Sequence, residues 1–264
     1  MESYNNELIR NTIRVGNSAG VLLPKEWLNT EVKIVLQPLN IAKDVIQILL
    51  DEDLLKYTMG AYIVGSYARK EQTIDSDTDI LIITININKR IKNGKYDILL
   101  ISKQSLEKEL KTNALPLLPM LLESKSIINN SLADSYKKTT LTKENLKWHL
   151  ETSKSAMKMV EKDIEVSKEL KQYAGDATAY SLILRLRTLY ILDSIKNKKM
   201  WSKPEFLSII KKISGSLKSY ERYVSAKNKN TLAYKLPIDE AEKLMSYINK
   251  KIKDVEKWLN GKKD

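Results

Sequence analysis

The sequence predicts an α+β protein, and two observations predict it. Up to about residue 136, short apolar or alternating runs punctuated by glycine read as strands, with brief helical stretches between them. From Thr142 onward every periodic segment has helical spacing. Charge divides near the same place. Residues 1–136 carry 16 Lys+Arg against 17 Asp+Glu, and residues 137–264 carry 29 against 16, so the whole net charge of +12 lies in the second part. Three parts are therefore expected: 1–37, a small hairpin module; 38–136, strands and helices around a polar motif; and 137–264, a basic helical domain.

In the first part, Thr12–Val15 alternates as a strand, Gly16-Asn17-Ser18-Ala19-Gly20 is a turn, and Val21–Leu23 is a second strand. Pro24 can open a short helix over Lys25–Leu28, and Glu31–Leu36 alternates as a third strand. A unit this small cannot bury a sufficient core alone, which argues for a partner. The next element is a helix over Asn40–Leu50, with Ile41, Val45, Ile48 and Leu49 on one face. The acidic triplet Asp51-Glu52-Asp53 reads as a solvated helix end.

The motif lies between two apolar strands, Ala61–Val64 and Ile80–Ile83. Gly65 and Ser66 follow the first, where glycine permits a sharp turn and free N–H groups suit a phosphate. Asp77 and Asp79 enter the second, two apart, so on an extended chain they project to one side. Two carboxylates held together repel unless a cation lies between them, so the unit reads as a metal-plus-phosphate site. A polar link follows from Asn86 to Lys95, with Asn93-Gly94 as its turn signal. Tyr96–Ile101 is then a strand with one acid, Asp97, inside an apolar run, a costly position unless paired or metal-bound. Ser102 caps a helix over Lys103–Lys111, and Leu115–Glu123 continues as an apolar, Pro-interrupted segment.

In the third part, Thr142 with Asn145 starts a long helix to about Tyr173, ended by Gly175. Asp176 caps the next, apolar nearly all round from Tyr180 to Ile191 and so expected at the centre of a bundle. Ser202-Lys203-Pro204-Glu205 starts a shorter helix, broken by Gly215, and Pro237–Leu259 forms the last. His149, the single histidine, sits beside Trp148 and reads as packing. Arg185 and Arg187, two apart on a helix, cannot share a face; a surface role for both is the first reading, and one of them facing the cleft is the second.

Composition excludes several classes. No apolar run has transmembrane length, and with no cysteine there is no disulfide framework and no thiolate zinc site. The polar first residues show no secretory signal, so a soluble, cytoplasmic protein is expected. The basic third part suggests an anionic partner, RNA or DNA first.

Two resemblances sharpen these expectations. VGNSAGVLLPKEWL followed by VKIVL is similar to the swapped-hairpin, AbrB-like modules over roughly the first 37 residues. That resemblance implies an intertwined homodimer, and Arg10 and Arg14 are the arginines available for DNA contact. Gly65-Ser66, Asp77-x-Asp79 and Asp97 between apolar residues resemble the DNA-polymerase-β-type nucleotidyltransferase superfamily over about residues 60–101. That resemblance implies a mixed sheet of few strands flanked by helices, with an all-α domain across the cleft helping to bind the acceptor. It implies transfer of a nucleoside monophosphate from an NTP to an acceptor hydroxyl, with two Mg²⁺ ions about 3.5–4 Å apart held by Asp77, Asp79 and Asp97. Gly65, Ser66 and Arg69 would bind the nucleotide, and Asp97 could take the acceptor proton. RNA, such as a tRNA end, is the first expected acceptor, and a protein hydroxyl in a toxin–antitoxin pair the second. The helical part also resembles domains paired with nucleotidyltransferases in such systems, but the ribonuclease version needs an Arg closely followed by His, which this chain lacks. The alternative is a DNA-binding regulator using the hairpin, with the transferase fold as nucleotide sensor or scaffold.

Overall fold

A computed structural model describes residues 8, 10, 12–35, 40–74, 76–227 and 235–261. Contacts divide the chain into two units, residues 1–41 and 42–264. The fold is α+β as expected: a two-stranded hairpin, a five-stranded mixed sheet and a helical C-terminal region.

In the first unit, β1 (Ile13–Val15) pairs antiparallel with β2 (Ser18–Gly20), placing Val15 opposite Ser18. The second strand therefore begins earlier than the expected Val21–Leu23. Gly16, at φ +59°, takes the first position of a two-residue turn, which reverses the chain at once rather than after five residues. A single 3-10 turn, Lys25–Trp27, follows Pro24. Glu31–Val35 is not a strand, correcting that expectation; it is exposed and no described strand pairs with it. An alternating run without a neighbour leaves its N–H and C=O groups to water. Leu36 lies outside the described residues.

α1 (Ile41–Asp51), all but its first residue in the second unit, buries Val45, Ile48 and Leu49. Its acidic end is exposed: Asp53 pairs with Lys56 and Glu52 with Lys89. The sheet has the order β5-β6-β4-β3-β7, namely Lys89–Asn93, Tyr96–Ser102, Thr78–Thr84, Thr58–Ile63 and Lys125–Ile128. β4 and β6 run parallel and the other pairs antiparallel. The expected polar link between β4 and β6 thus contains a strand of its own, β5, folded back on β6 through Gly94 and Lys95. Its alternation is weak, with Ile91 alone buried, because one edge faces water. The central strands are buried on both faces, so β4 reads as a continuous apolar run, Ile80–Ile83.

Between β3 and β4 lies α2 (Gly65–Arg69), ended by Lys70 at φ +60°. Ser102 accepts the Ser105 N–H at 3.2 Å and starts α3 (Lys103–Thr112). Then come α4 (Leu118–Glu123) and α5 (Asn130–Tyr136). Thr142 and Asn145 form the reciprocal capping box of α6 (Lys143–Glu169). α7 (Asp176–Lys196) packs against α6, α9 (Lys218–Lys227) and α10 (Ile238–Asn260), the central position its apolar surround predicts. α8 (Lys203–Ser214) starts at Ser202 with Pro204 in its first turn and stops at Gly215, φ +89°. One apolar core runs from the sheet, through Tyr62 and Leu81, to Leu186 of α7 and Leu259 of α10. No described helix is long and apolar enough to cross a membrane.

Candidate active site

The in-register pairing of β4 with β6 sets Asp79 directly beside Asp97. Neighbouring strands lie about 4.8 Å apart, so two carboxylates in one register face one another on the same side of the sheet. Asp77, just before β4, is exposed, and Asp79 is half-buried. Burial pushes the Asp79 carboxyl above its ordinary range, and the negative charges of Asp97 and Asp77 push it further. Asp97 goes the other way. Arg90 of β5 grips it with two hydrogen bonds, Nε at 2.6 Å and Nη2 at 2.7 Å, and lowers its pKa. Lys92 stands 3.8 Å from the same carboxylate. The acid that looked costly inside an apolar strand is thus paired across the β5–β6 ladder.

Gly65 lies against Asp79. The Val64 N–H donates to the Asp79 carbonyl at 2.9 Å, drawing the end of β3 onto β4. Gly65 has φ +68°, and a Cβ there would stand 2.3 Å from Asp79 Oδ2. Its N–H donates to Glu123 Oε1 at 2.6 Å, while the other Glu123 oxygen accepts from Arg69 Nη1 at 2.5 Å. Arg69 Nε also donates to Glu71 at 2.9 Å. Burial works against the Arg69 charge, but the two carboxylates outweigh it and hold the group firmly protonated. Burial pushes the Glu123 carboxyl up, with Arg69 and the Gly65 N–H pulling it back. Glu71 in turn accepts the Lys203 N–H at 3.1 Å, tying the start of α8 to the motif. Glu123→Ala would leave Arg69 paired with Glu71 alone, beside an unsatisfied Gly65 amide. We expect a loss of about 1–3 kcal/mol, read by urea denaturation, with Glu123→Gln losing less.

A cavity of about 640 Å³ opens beside this cluster, lined by Gly65, Ser66, Arg69, Asp79 and Glu123 on one side. The helical part supplies Arg187, Lys203 and Lys227 and the aromatic rings of Tyr190, Phe206 and Tyr220. Tyr190 stacks on Phe206 with ring centroids 5.6 Å apart, and Phe206 meets Tyr220 edge-on at 6.4 Å. The Lys227 charge reaches Asp79 and the Arg187 charge reaches Glu123. Arg187 is therefore no mere surface residue. Arg185 is half-buried and its charge acts on His149. His149 is buried and lines the cavity, with no hydrogen-bond partner at Nδ1 or Nε2. A residue present for packing alone should not carry two orphan polar atoms, each costing about 1–3 kcal/mol when buried.

All six residues expected at the site come to one place. Gly65, Ser66, Arg69 and Asp79 line the cavity, Asp97 pairs with Asp79 across the sheet, and Asp77 acts on Asp79 by charge. Arg69 is already engaged by two carboxylates. Sequence reasoning missed Arg90, Glu123, Lys227 and the aromatic wall. A lone acid closing an apolar helix was the only sign of Glu123. The oxygen donors of Asp77 and Asp79 suit Mg²⁺, and the repulsion raising Asp79 is what a divalent cation relieves. Asp97 already has Arg90, and no three acidic or histidine side chains among the described residues converge as a ready-made metal cluster.

The mixed sheet presents a glycine-serine turn against paired aspartates, beside a cavity lined also by the helical part. Residues 43–149, about two fifths of the chain, match the family model of the nucleotidyltransferase domain, which supports that superfamily for this part of the protein. Two solved structures are similar to the chain. A nucleotidyltransferase-like protein from Exiguobacterium sibiricum shares 15% identity over 81% of this chain and 75% of that one, with a TM-score of 0.36. Spectinomycin adenyltransferase AAD(9) from Enterococcus faecialis, with ATP and spectinomycin, shares 16% identity over 80% of this chain and 98% of that one, with a TM-score of 0.40. At such identities and scores neither says what this chain acts on. No curated protein matches.

Proposed function

We propose that the protein is an Mg²⁺-dependent nucleotidyltransferase that moves a nucleoside monophosphate from an NTP to an acceptor hydroxyl. The observation that carries the reading is the register of Asp79 with Asp97, with Gly65 packed against the Asp79 carboxylate. The bound metal, held by Asp77 and Asp79 with Asp97 beside them, would supply charge to the phosphates and to the attacking oxygen. Gly65 and Ser66 seat the triphosphate, and Lys227 faces its charge from the helical side. Arg69 fixes Glu123 and through it the Gly65 amide, which keeps the turn in shape. The acceptor oxygen bonds to the α-phosphorus, the bond from that phosphorus to the bridging oxygen breaks, and pyrophosphate leaves. Asp97 receives the hydroxyl proton, held ionised and oriented by Arg90.

For the acceptor, the excess positive charge of residues 137–264 favours an RNA end over a protein hydroxyl. Exposed apolar side chains in the N-terminal unit, among them Val15, Leu22, Leu28, Ile34 and Val35, support homodimerisation through residues 1–37. The test is transfer of label from α-labelled NTPs in the presence of Mg²⁺ and cell extract. Wild-type protein should label an acceptor and Asp77→Ala should not. Equal labelling by the two would overturn the assignment.

A further inference from the structure

Arg187 carries a charge at the cavity that nothing in the fold takes up. On α7 it shares one face with Leu184 and Ile191, three before and four after it, and all three line the cavity. The residue is exposed, so its guanidinium is open to what enters there. Among the described residues it has no hydrogen bond and no ion pair. Two other groups lining the cavity nevertheless feel its charge. Burial raises the Glu123 carboxyl and the Tyr220 hydroxyl, and Arg187 pulls each back.

The surrounding charges decide what Arg187 can bind. The acids lining the cavity are Asp79 and Glu123. Both Glu123 oxygens are taken, by the Gly65 N–H and by Arg69, and Asp79 stands where a divalent cation would sit. Arg187, Lys203 and Lys227 line the cavity with no ion pair among the described residues. The free charge on the helical side is therefore positive, which repels a cationic acceptor and attracts an anionic one.

A triphosphate accounts for Lys227, whose charge reaches Asp79. Tyr220 lies seven residues earlier on α9, two turns back on the same face and about 10 Å along the axis. Arg187, beside Tyr220, thus suits a second anionic group. Aromatic rings surround that position: Phe206 lies between Tyr190 and Tyr220, and Tyr220 meets Tyr223 with centroids 6.1 Å apart. Tyr190 and Tyr220 are half-buried, which leaves ring surface at the cavity wall. Arginine pairs with phosphate, and aromatic rings stack on bases.

We infer that Arg187 is a specificity-determining residue for the acceptor, pairing with a phosphate of a nucleotide unit whose base lies against the Tyr190 and Tyr220 rings. This rests on the nucleotidyl-transfer reading and excludes a cationic small molecule as acceptor. Such a unit has two sources, a free nucleotide or the terminal nucleotide of an RNA.

The experiment uses the full chain, Mg²⁺, α-labelled NTPs and acceptor pools from cell extract. One pool is purified total RNA. The others are the retained and unretained fractions of an ultrafiltrate, freed of RNA and protein, passed over an anion exchanger. Wild-type protein should label RNA or the retained fraction, and which of the two identifies the source. Arg187→Gln should need at least about tenfold more of that pool for half-maximal labelling, with the half-saturating NTP concentration unchanged. Arg187→Lys, which keeps the charge, should recover part of the loss. Salt should weaken acceptor use less in Arg187→Gln, by about 0.7 in log–log slope where the acceptor is RNA. Because the side chain is exposed, the melting temperature of Arg187→Gln should match that of wild type. Equal acceptor use by Arg187→Gln overturns the inference, as does a shift confined to the NTP or an unchanged salt slope. A fall in melting temperature with no recovery in Arg187→Lys assigns the residue to packing and also overturns it. Labelling confined to the unretained fraction or to protein overturns it while leaving nucleotidyl transfer in place. A wild-type protein that labels no pool and no protein overturns the nucleotidyl-transfer reading itself.

Discussion

Asp79→Asn is expected to lower nucleotidyl transfer by about a thousandfold or more while leaving the ligand-free fold at least as stable as wild type. The two effects have one cause. Asp79 is half-buried beside Asp97 and within reach of the Asp77 charge, and its carboxyl is raised by burial first and by those neighbours second. The charged form is therefore disfavoured in the fold, and a neutral isostere relieves that penalty. The same charge is what a divalent cation requires if it is to neutralise a triphosphate, and losing one element of such a site typically costs two to three orders of magnitude in rate or more. Transfer assays and denaturant melts on one preparation check both. A variant that loses activity by unfolding would show a lower midpoint, so the outcomes separate. Retained activity would remove Asp79 from the reaction.

Gly65→Ala should damage both stability and transfer through a single methyl group. The backbone there is left-handed at φ +68°, costing a non-glycine residue about 1–2 kcal/mol. The added Cβ would also meet Asp79 at 2.3 Å from Oδ2, 3.1 Å from Cγ and 3.2 Å from Cβ, so the whole side chain must move. We expect about 2–3 kcal/mol of lost stability in all. Transfer should fall about a hundredfold further than unfolding explains, because a shift of about 1 Å in a reacting group has that effect. Gly16→Ala is the control. Gly16 is also left-handed, at φ +59°, but a Cβ there meets nothing within 4 Å, so only the backbone cost remains.

Much of the site was legible in the sequence because its signals are local. Strand alternation, the Gly-Ser turn and the two-residue spacing of Asp77 and Asp79 depend on neighbours a few positions away. The same holds for the Thr142–Asn145 capping box and the Ser202-Lys203-Pro204 start of α8. The misreadings have a common origin. Val21–Leu23 is a short apolar run and Glu31–Val35 alternates, so both read as strands, but a strand exists only where another lies beside it, and none among the described residues does. β5 was hidden in a polar link because its edge faces water and its one buried side chain, Ile91, gives no periodicity.

By itself, then, the sequence determined the class of the fold, the helical C-terminal half and three of the acids, Asp77, Asp79 and Asp97, that come together at the end of the sheet. Tertiary structure alone decided how those charges are compensated. Arg90 takes Asp97, Glu123 joins the Gly65 amide to Arg69 across more than fifty residues, and Lys227 approaches Asp79 from another part of the core. It also decided that Arg187, and not Arg185, lines the cavity, and that His149 lines it too. The physical reason is that periodicity specifies which side of an element is apolar, not which element will cover it. Partners distant in the chain are chosen by the packing of the whole core, and the electrostatics of the site follow from that choice.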